Sequence, residues 1–251
     1  MFLAGFRLAM TLLTAIPLPG DEADGPPSRQ VAGEAMIWAP GIGLLAGGAA
    51  AGVLYLFGQL WQAGPLLGAT MAITVLAVAT RCLHLDGLAD LADGLGSRRP
   101  AAEALDIMRR SDIGPFGVAA LVLTVLLQVT ALARADALGR GVTAVIAAAV
   151  TGRLAVTWAC RHGVPAARHE GLGALVAGTV HPAAPAAASA AALAAAAPFG
   201  WIFILAIVAG LAAPAALTWL AVRRLGGITG DVLGALTEIA TAACLVVLAL
   251  S

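Results

Sequence analysis

The sequence predicts an all-α, polytopic transmembrane helix bundle of about seven spans, preceded by an N-terminal interfacial or re-entrant helix. Three observations predict it. Of 251 residues, 61% are hydrophobic and only 11% charged, and the mean hydropathy is +0.95, far from the balance of a soluble domain. The apolar residues fall into runs near the roughly 20 residues needed to cross a bilayer core. The arginines between those runs collect on alternate loops, as in multi-pass proteins. Residues 1–251 read as a single integral membrane domain. Its 14 basic residues are all arginine and its net charge is zero, which by itself says nothing about partners; membrane lipid is the expected surroundings and no nucleic-acid partner is expected.

Residues 3–16 are too short to span, and Met1 to Leu18 closes on Pro17 and Pro19 without a cleavage pattern. The segment is expected to be retained as an interfacial or re-entrant helix. Asp21 to Ser28 reads as a turn-rich polar loop. The first span runs from about Met36 to Phe57, with Gly41, Gly43, Gly47 and Gly48 inviting close approach of another helix. The second runs from about Pro65 to Leu83 and feeds into an acidic stretch. Ser97 to Asp112 is polar and predicts a short surface helix with Leu105 and Met108 facing inward. Further spans are expected at about Val118 to Ala133, Val142 to Trp158 and Val232 to Leu250.

Ala183 to Leu220 reads as two spans broken near Pro198 and Gly200. That division places Arg29, Arg98, Arg99, Arg109, Arg110, Arg161, Arg168, Arg223 and Arg224 on one side, the cytoplasmic one by the positive-inside rule, with Arg134 and Arg140 opposite. It also brings residues 84–114, 160–182 and 223–238 to the cytoplasmic face. Cys82, Cys160 and Cys244 are scattered among apolar runs and read as core residues rather than a disulfide or metal set.

The acidic stretch His84-Leu-Asp-Gly-Leu-Ala-Asp-Leu-Ala-Asp-Gly94 carries the chemistry. On a helix, Asp86, Asp90 and Asp93 stand at i, i+4 and i+7, within about 60° of one face. Like charges at that spacing repel, and a hard divalent cation removes the objection; Mg²⁺ is the natural candidate. The bland alternative, a solvated acidic helix end, is disfavoured by Leu85, Leu88, Leu91 and Leu95, which make the segment half-buried. A second constellation, Gly226-Gly-Ile-Thr-Gly-Asp231 followed by Glu238, puts two acids seven apart on one helical face. Asp231 fits a helix first turn, whereas Glu238 lies two turns into an apolar helix and is expected to be functional or paired. The glycines before them offer backbone N–H groups as a phosphate cradle. Arg109, Arg110 and Arg168 suit an anionic substrate or a topology signal equally well. His84 and His169 lack ligand-spaced partners and read as hydrogen-bonding groups.

These motifs resemble a known family. His84-Leu-Asp-Gly-Leu-Ala-Asp90 with Ala92-Asp-Gly94, Ile107-Met-Arg109, Ser111, Ile113-Gly114, Phe116-Gly117, Glu170-Gly-Leu-Gly173, and Gly226-Gly-Ile-Thr-Gly-Asp231 with Leu233-Gly-Ala235 and Glu238 closely resemble the cobalamin synthase, or adenosylcobinamide-GDP ribazoletransferase, family. The likeness extends from Thr14-Ala-Ile-Pro-Leu-Pro19 to the last span. It implies a Mg²⁺-dependent, multi-pass enzyme of the bacterial inner membrane with its site facing the cytoplasm. The implied reaction joins adenosylcobinamide-GDP to α-ribazole or its 5′-phosphate and releases GMP.

Combined with the residue reading, the resemblance places Asp86, Asp90, Asp93, Asp231 and Glu238 toward the metal, with Asp93 or Asp231 as general base. His84, Arg109, Arg168, Glu170, Gly227, Thr229 and Gly230 are then expected to bind substrate. A homo-oligomer, or a complex with other cobalamin-assembly enzymes, is left open. Arg109-Arg-Ser-Asp112 exchanges acid and base around Ser111 relative to the common family form, so no fixed role carries over to Arg110 or Asp112. Asp106 stands where the family often has Glu. A phospholipid-type alcohol phosphotransferase would show Asp-Gly-x-x-Ala-Arg, which Asp86-Gly-Leu-Ala-Asp90 breaks. A transporter would place its acids near the midplane of repeated halves rather than at one face.

Overall fold

The computed structural model describes residues 2–18 and 26–250; the acids of the loop expected at Asp21 to Ser28 lie outside them. Eleven α-helices and no strands are found among the described residues. Helix α1 (Phe2–Leu13) is 12 residues long, short of a span as the sequence implies. It lies on α2 (Arg29–Tyr55), where Phe6 meets Trp38 edge to face at 5.2 Å. Ser28 starts α2 by accepting the Val31 amide, satisfying one of the donors left free at a helix start.

Helix α3 (Pro65–Ala79) ends earlier than the expected Leu83, and α4 (Leu83–Gly96) departs from it at 86°. The break falls at Arg81 and Cys82, both in the left-handed backbone region, which single residues visit but helices do not. The surface helix α5 (Ala101–Ile107) buries Met108 just beyond its end, as expected. Spans α6 (Pro115–Ala137) and α7 (Gly141–Ala159) follow, then the five-residue α8 (Leu172–Val176). Helix α9 (Ala183–Ala196) is extended by one 3₁₀ turn to Phe199, and Gly200, at φ 102°, turns the chain into α10 (Trp201–Leu225) before α11 (Gly230–Ala249).

Among the described residues, five helices are long and apolar enough to cross a bilayer alone, and the bent α3–α4 pair makes a sixth span if taken as one. The expected segments all appear as helices, two of them short: α3, which bends into α4, and α9. The chain between Ala183 and Leu225 does go out and back, because a bridge between Arg161 and Val180 and another between Ala166 and Ile228 hold both its ends at one end of the bundle. Its outward limb, α9, is shorter than a full span, an alanine-dominated segment with little apolar surface to bury.

Helix α7 is the hub. Gly43 and Gly47 of α2 face it so closely that a Cβ on Gly43 would lie 2.6 Å from the Ala149 carbonyl oxygen, a small-residue contact typical of membrane helices. Gly48 faces open space. Thr157 of α7 donates to the Met36 carbonyl at 2.8 Å, a polar tie across the same interface. Outward, Leu123, Leu126 and Leu127 of α6 and Leu205 and Val208 of α10 are exposed. In a membrane bundle these supply the apolar face toward lipid.

Candidate active site

Helix α4 carries the three aspartates outward past the start of α11. Its first turns pack on α11 backbone to backbone: a Cβ on Gly87 would lie 2.7 Å from the Asp231 carbonyl oxygen, and one on Gly234 would lie 3.0 Å from the His84 Cα. Glycine is required at both places because any side chain would push the helices apart. This contact sets Asp86 and Asp90 beside Asp231, from opposite ends of the sequence. Asp86 is exposed, and Asp90 and Asp231 are half-buried.

Burial, and after it the carboxylates of Asp86, Asp231 and Asp93, pushes the Asp90 carboxyl up to about 6, while Arg168 pulls the other way. The cluster is thus short of positive charge. Arg168 supplies part of it. Its guanidinium donates to the Leu105 carbonyl at 2.7 Å and lies 3.6 Å from Asp231 Oδ2, so one side chain ties the α7–α8 loop to α5 and to α11. Thr229 caps α11 by accepting the Val232 amide at 3.2 Å, and its hydroxyl donates to Asp231 Oδ2 at 3.1 Å. Arg109 is exposed but close enough for its charge to act on Arg168. Glu170 is exposed on the loop before α8.

Four expected roles change. Asp93 turns toward α6, where its two carboxylate oxygens accept the amides of Gly114 at 2.7 Å and Gly117 at 2.9 Å. It anchors the start of that span, as an acid at a helix N-terminus does, rather than standing ready as a base. Glu238 leaves the acidic cluster for the bundle interior, accepting from Gln128 Nε2 at 2.8 Å. It shares a small cavity with Arg153 and Thr241, and neither Asp86 nor Asp231 lines that cavity. His84 is buried, with Nδ1 4.0 Å from Glu238, so it links the interior pair to the site instead of standing at a surface.

Gly227 is pressed against Pro165–Ala167, and the Ile228 amide donates to the Pro165 carbonyl at 2.9 Å. Of the glycines expected as a cradle, Gly230 stands at the first turn of α11, whereas Gly227 is taken up in this packing. Gln128 was not singled out in the sequence, although a lone amide in an otherwise apolar span was the signal available.

Among the described residues, no three His, Cys, Asp or Glu side chains converge as a ready-made metal cluster. Of the five acids expected toward the metal, Asp86, Asp90 and Asp231 are the ones that stay together at this end of the bundle, whereas Asp93 and Glu238 face other partners. Beside them opens a cavity of about 170 Å³, lined in part by Asp86, Asp231, His84 and the end of α1.

A helical bundle with five or six apolar spans and clustered carboxylates at one end defines a multi-pass membrane protein, and family comparison places it among transferases. Residues 5–249 match the family described as cobalamin-5-phosphate synthase, and the chain belongs to that family. It is similar to the adenosylcobinamide-GDP ribazoletransferase of Frankia casuarinae, at 45% identity over 98% of this chain and 94% of the relative. The enzymes of the same name from Nocardioides sp. and Chlorobaculum tepidum are 38% and 35% identical, each over 96% of this chain and over 96% and 93% of the relative. No solved structure matches the chain.

Proposed function

We propose that this chain catalyses the last assembly step of adenosylcobalamin, transferring the adenosylcobinamide phosphate group from adenosylcobinamide-GDP to α-ribazole or its 5′-phosphate, with release of GMP. The observation that carries the reading is the meeting of Asp86, Asp90 and Asp231 with Arg168 at one end of the bundle, in a chain of this family.

Mg²⁺ fits the residues present. The donors are hard carboxylate oxygens, and a cation held by one or two carboxylates with substrate phosphates completing its shell needs no preformed three-ligand cluster. Asp86, Asp90 and Asp231 would hold it, and when bound it would offset charge on the diphosphate and the departing nucleotide. Arg168, fixed by Leu105 and Asp231, brings its positive charge and remaining N–H groups to a phosphate. A ribose hydroxyl of the acceptor attacks the phosphorus that bears cobinamide, and the bond from that phosphorus to the oxygen of GMP breaks. The hydroxyl proton passes to Asp231, which Thr229 orients and which replaces Asp93 as the base. Arg168 and Thr229 both meet Asp231 through Oδ2, so Oδ1 is the oxygen that takes the proton.

The proposed location is the bacterial inner membrane, with the site on the cytoplasmic side. In a bacterial strain lacking this transferase activity, the chain should restore cobalamin formation from cobinamide and ribazole. Absence of restoration with the chain present in the membrane would contradict the reading. Single cysteines at positions 86, 170 and 229, in a background lacking the native thiols, should all resist labelling from the periplasmic side.

A further inference from the structure

The cavity beside Asp86 and Asp231 has an apolar body. Leu12 and Leu13 of α1 form one wall, and Met36, Val156 and Leu233, all buried, form the floor. Helix α1 is held in place there: the Ala15 amide donates to the Ala79 carbonyl at 2.6 Å, beside the α3–α4 break. The walls offer little to read a polar edge. The Thr80 hydroxyl is spent on the Ala77 carbonyl at 3.1 Å, and the His84 ring nitrogen Nδ1 faces Glu238. Asp86 and Asp231 supply the charged groups of the lining, beside Gly230 at the start of α11.

We infer that this cavity seats the base of the acceptor nucleoside, an apolar two-ring aromatic group, and thereby places the attached ribose at Asp86 and Asp231. The assignment rests on the transferase reading above, whose substrates offer three bulky groups. The corrin ring is far too large for about 170 Å³. Guanine carries donors and acceptors on its edge, and burying them unpaired is costly. A dimethylated benzimidazole ring has an apolar outer edge and loses nothing there. Its glycosidic bond then points to the one polar side of the cavity, which is where the attacking hydroxyl has to be. The N-terminal helix, too short to span, thus acquires a task as the outer wall of the acceptor site.

Leu12 is half-buried, so it can change size with little strain on the bundle. In detergent-solubilised protein, Leu12→Phe should raise KM for α-ribazole about tenfold while KM for adenosylcobinamide-GDP stays within about twofold, the scale on which an apolar pocket discriminates. Leu12→Ala should shift relative kcat/KM toward ribosides with a bulkier fused-ring base. Size-exclusion profile and thermal midpoint keep the comparison to folded protein, and Leu12→Ala keeps it informative should the Phe variant not fold. Donor KM rising instead of acceptor KM, or both variants leaving acceptor selectivity untouched, would overturn the assignment. Absence of GMP release by wild-type protein with any riboside would instead count against the transferase reading itself.

Discussion

Gly87 and Asp231 touch through their backbones: a Cβ at position 87 would stand 2.7 Å from the Asp231 carbonyl oxygen and 2.8 Å from its Cα. The acidic cluster exists because this contact lets α4 and α11 approach without side chains between them. Gly87→Ala should therefore separate Asp86 and Asp90 from Asp231. We expect a stability loss of about 1–3 kcal/mol from the forced shift and a larger loss of turnover. Thermal unfolding and GMP release measured on the same preparation check it, and turnover equal to wild type would refute the claim that the contact builds the site.

Asp86→Asn and Asp90→Asn remove charge without changing volume. Each should lower turnover by about a hundredfold or more, on the scale of losing one well-placed electrostatic group, with membrane insertion and thermal midpoint retained. Wild-type turnover in either variant at ordinary Mg²⁺ would sink the metal assignment.

Much of this was legible in the sequence, and the limits have physical causes. The helix carrying Asp86, Asp90 and Asp93 followed from their spacing against the leucines, and α4 bears it out. The close approach of α2 to another helix followed from Gly43 and Gly47. What could not be read was direction. Nothing local to Asp93 says that its carboxylate turns to the amides of Gly114 and Gly117, 21 and 24 residues later. Equal spacing likewise could not tell that Asp231 would sit at the surface cluster while Glu238 entered a polar pocket with Gln128 and Arg153. The left-handed residues Arg81 and Cys82, which bend α3 away from α4, carry no glycine or proline to announce them.

Glu238 tests that division. It sits with Gln128 at 2.8 Å and shares its cavity with Arg153, whose Nε is buried without a hydrogen-bond partner. Glu238→Gln should cost about 3 kcal/mol by leaving the buried guanidinium charge uncompensated, while the Mg²⁺ concentration for half-maximal activity stays as in wild type. A shifted Mg²⁺ requirement with unchanged stability would return Glu238 to the metal site.

Asp93 offers the converse comparison. As the anchor of the α6 start, Asp93→Ala should cost about 1 kcal/mol, the usual scale for a lost helix cap. Asp93→Asn, whose amide oxygen still accepts one of the two N–H groups, should retain more stability than Asp93→Ala and more activity than Asp86→Asn. Turnover falling in Asp93→Asn as far as in Asp86→Asn, with the thermal midpoint unchanged, would make Asp93 a direct participant.

The central claim is that this end of the bundle transfers the cobinamide phosphate group. Purified protein in lipid, given adenosylcobinamide-GDP, α-ribazole and Mg²⁺, should release one GMP for each adenosylcobalamin formed, and both products should disappear together when Mg²⁺ is chelated or Asp90 is replaced by Asn. GMP released without the nucleoside acceptor being consumed, or both products formed undiminished by Asp90→Asn, would contradict it.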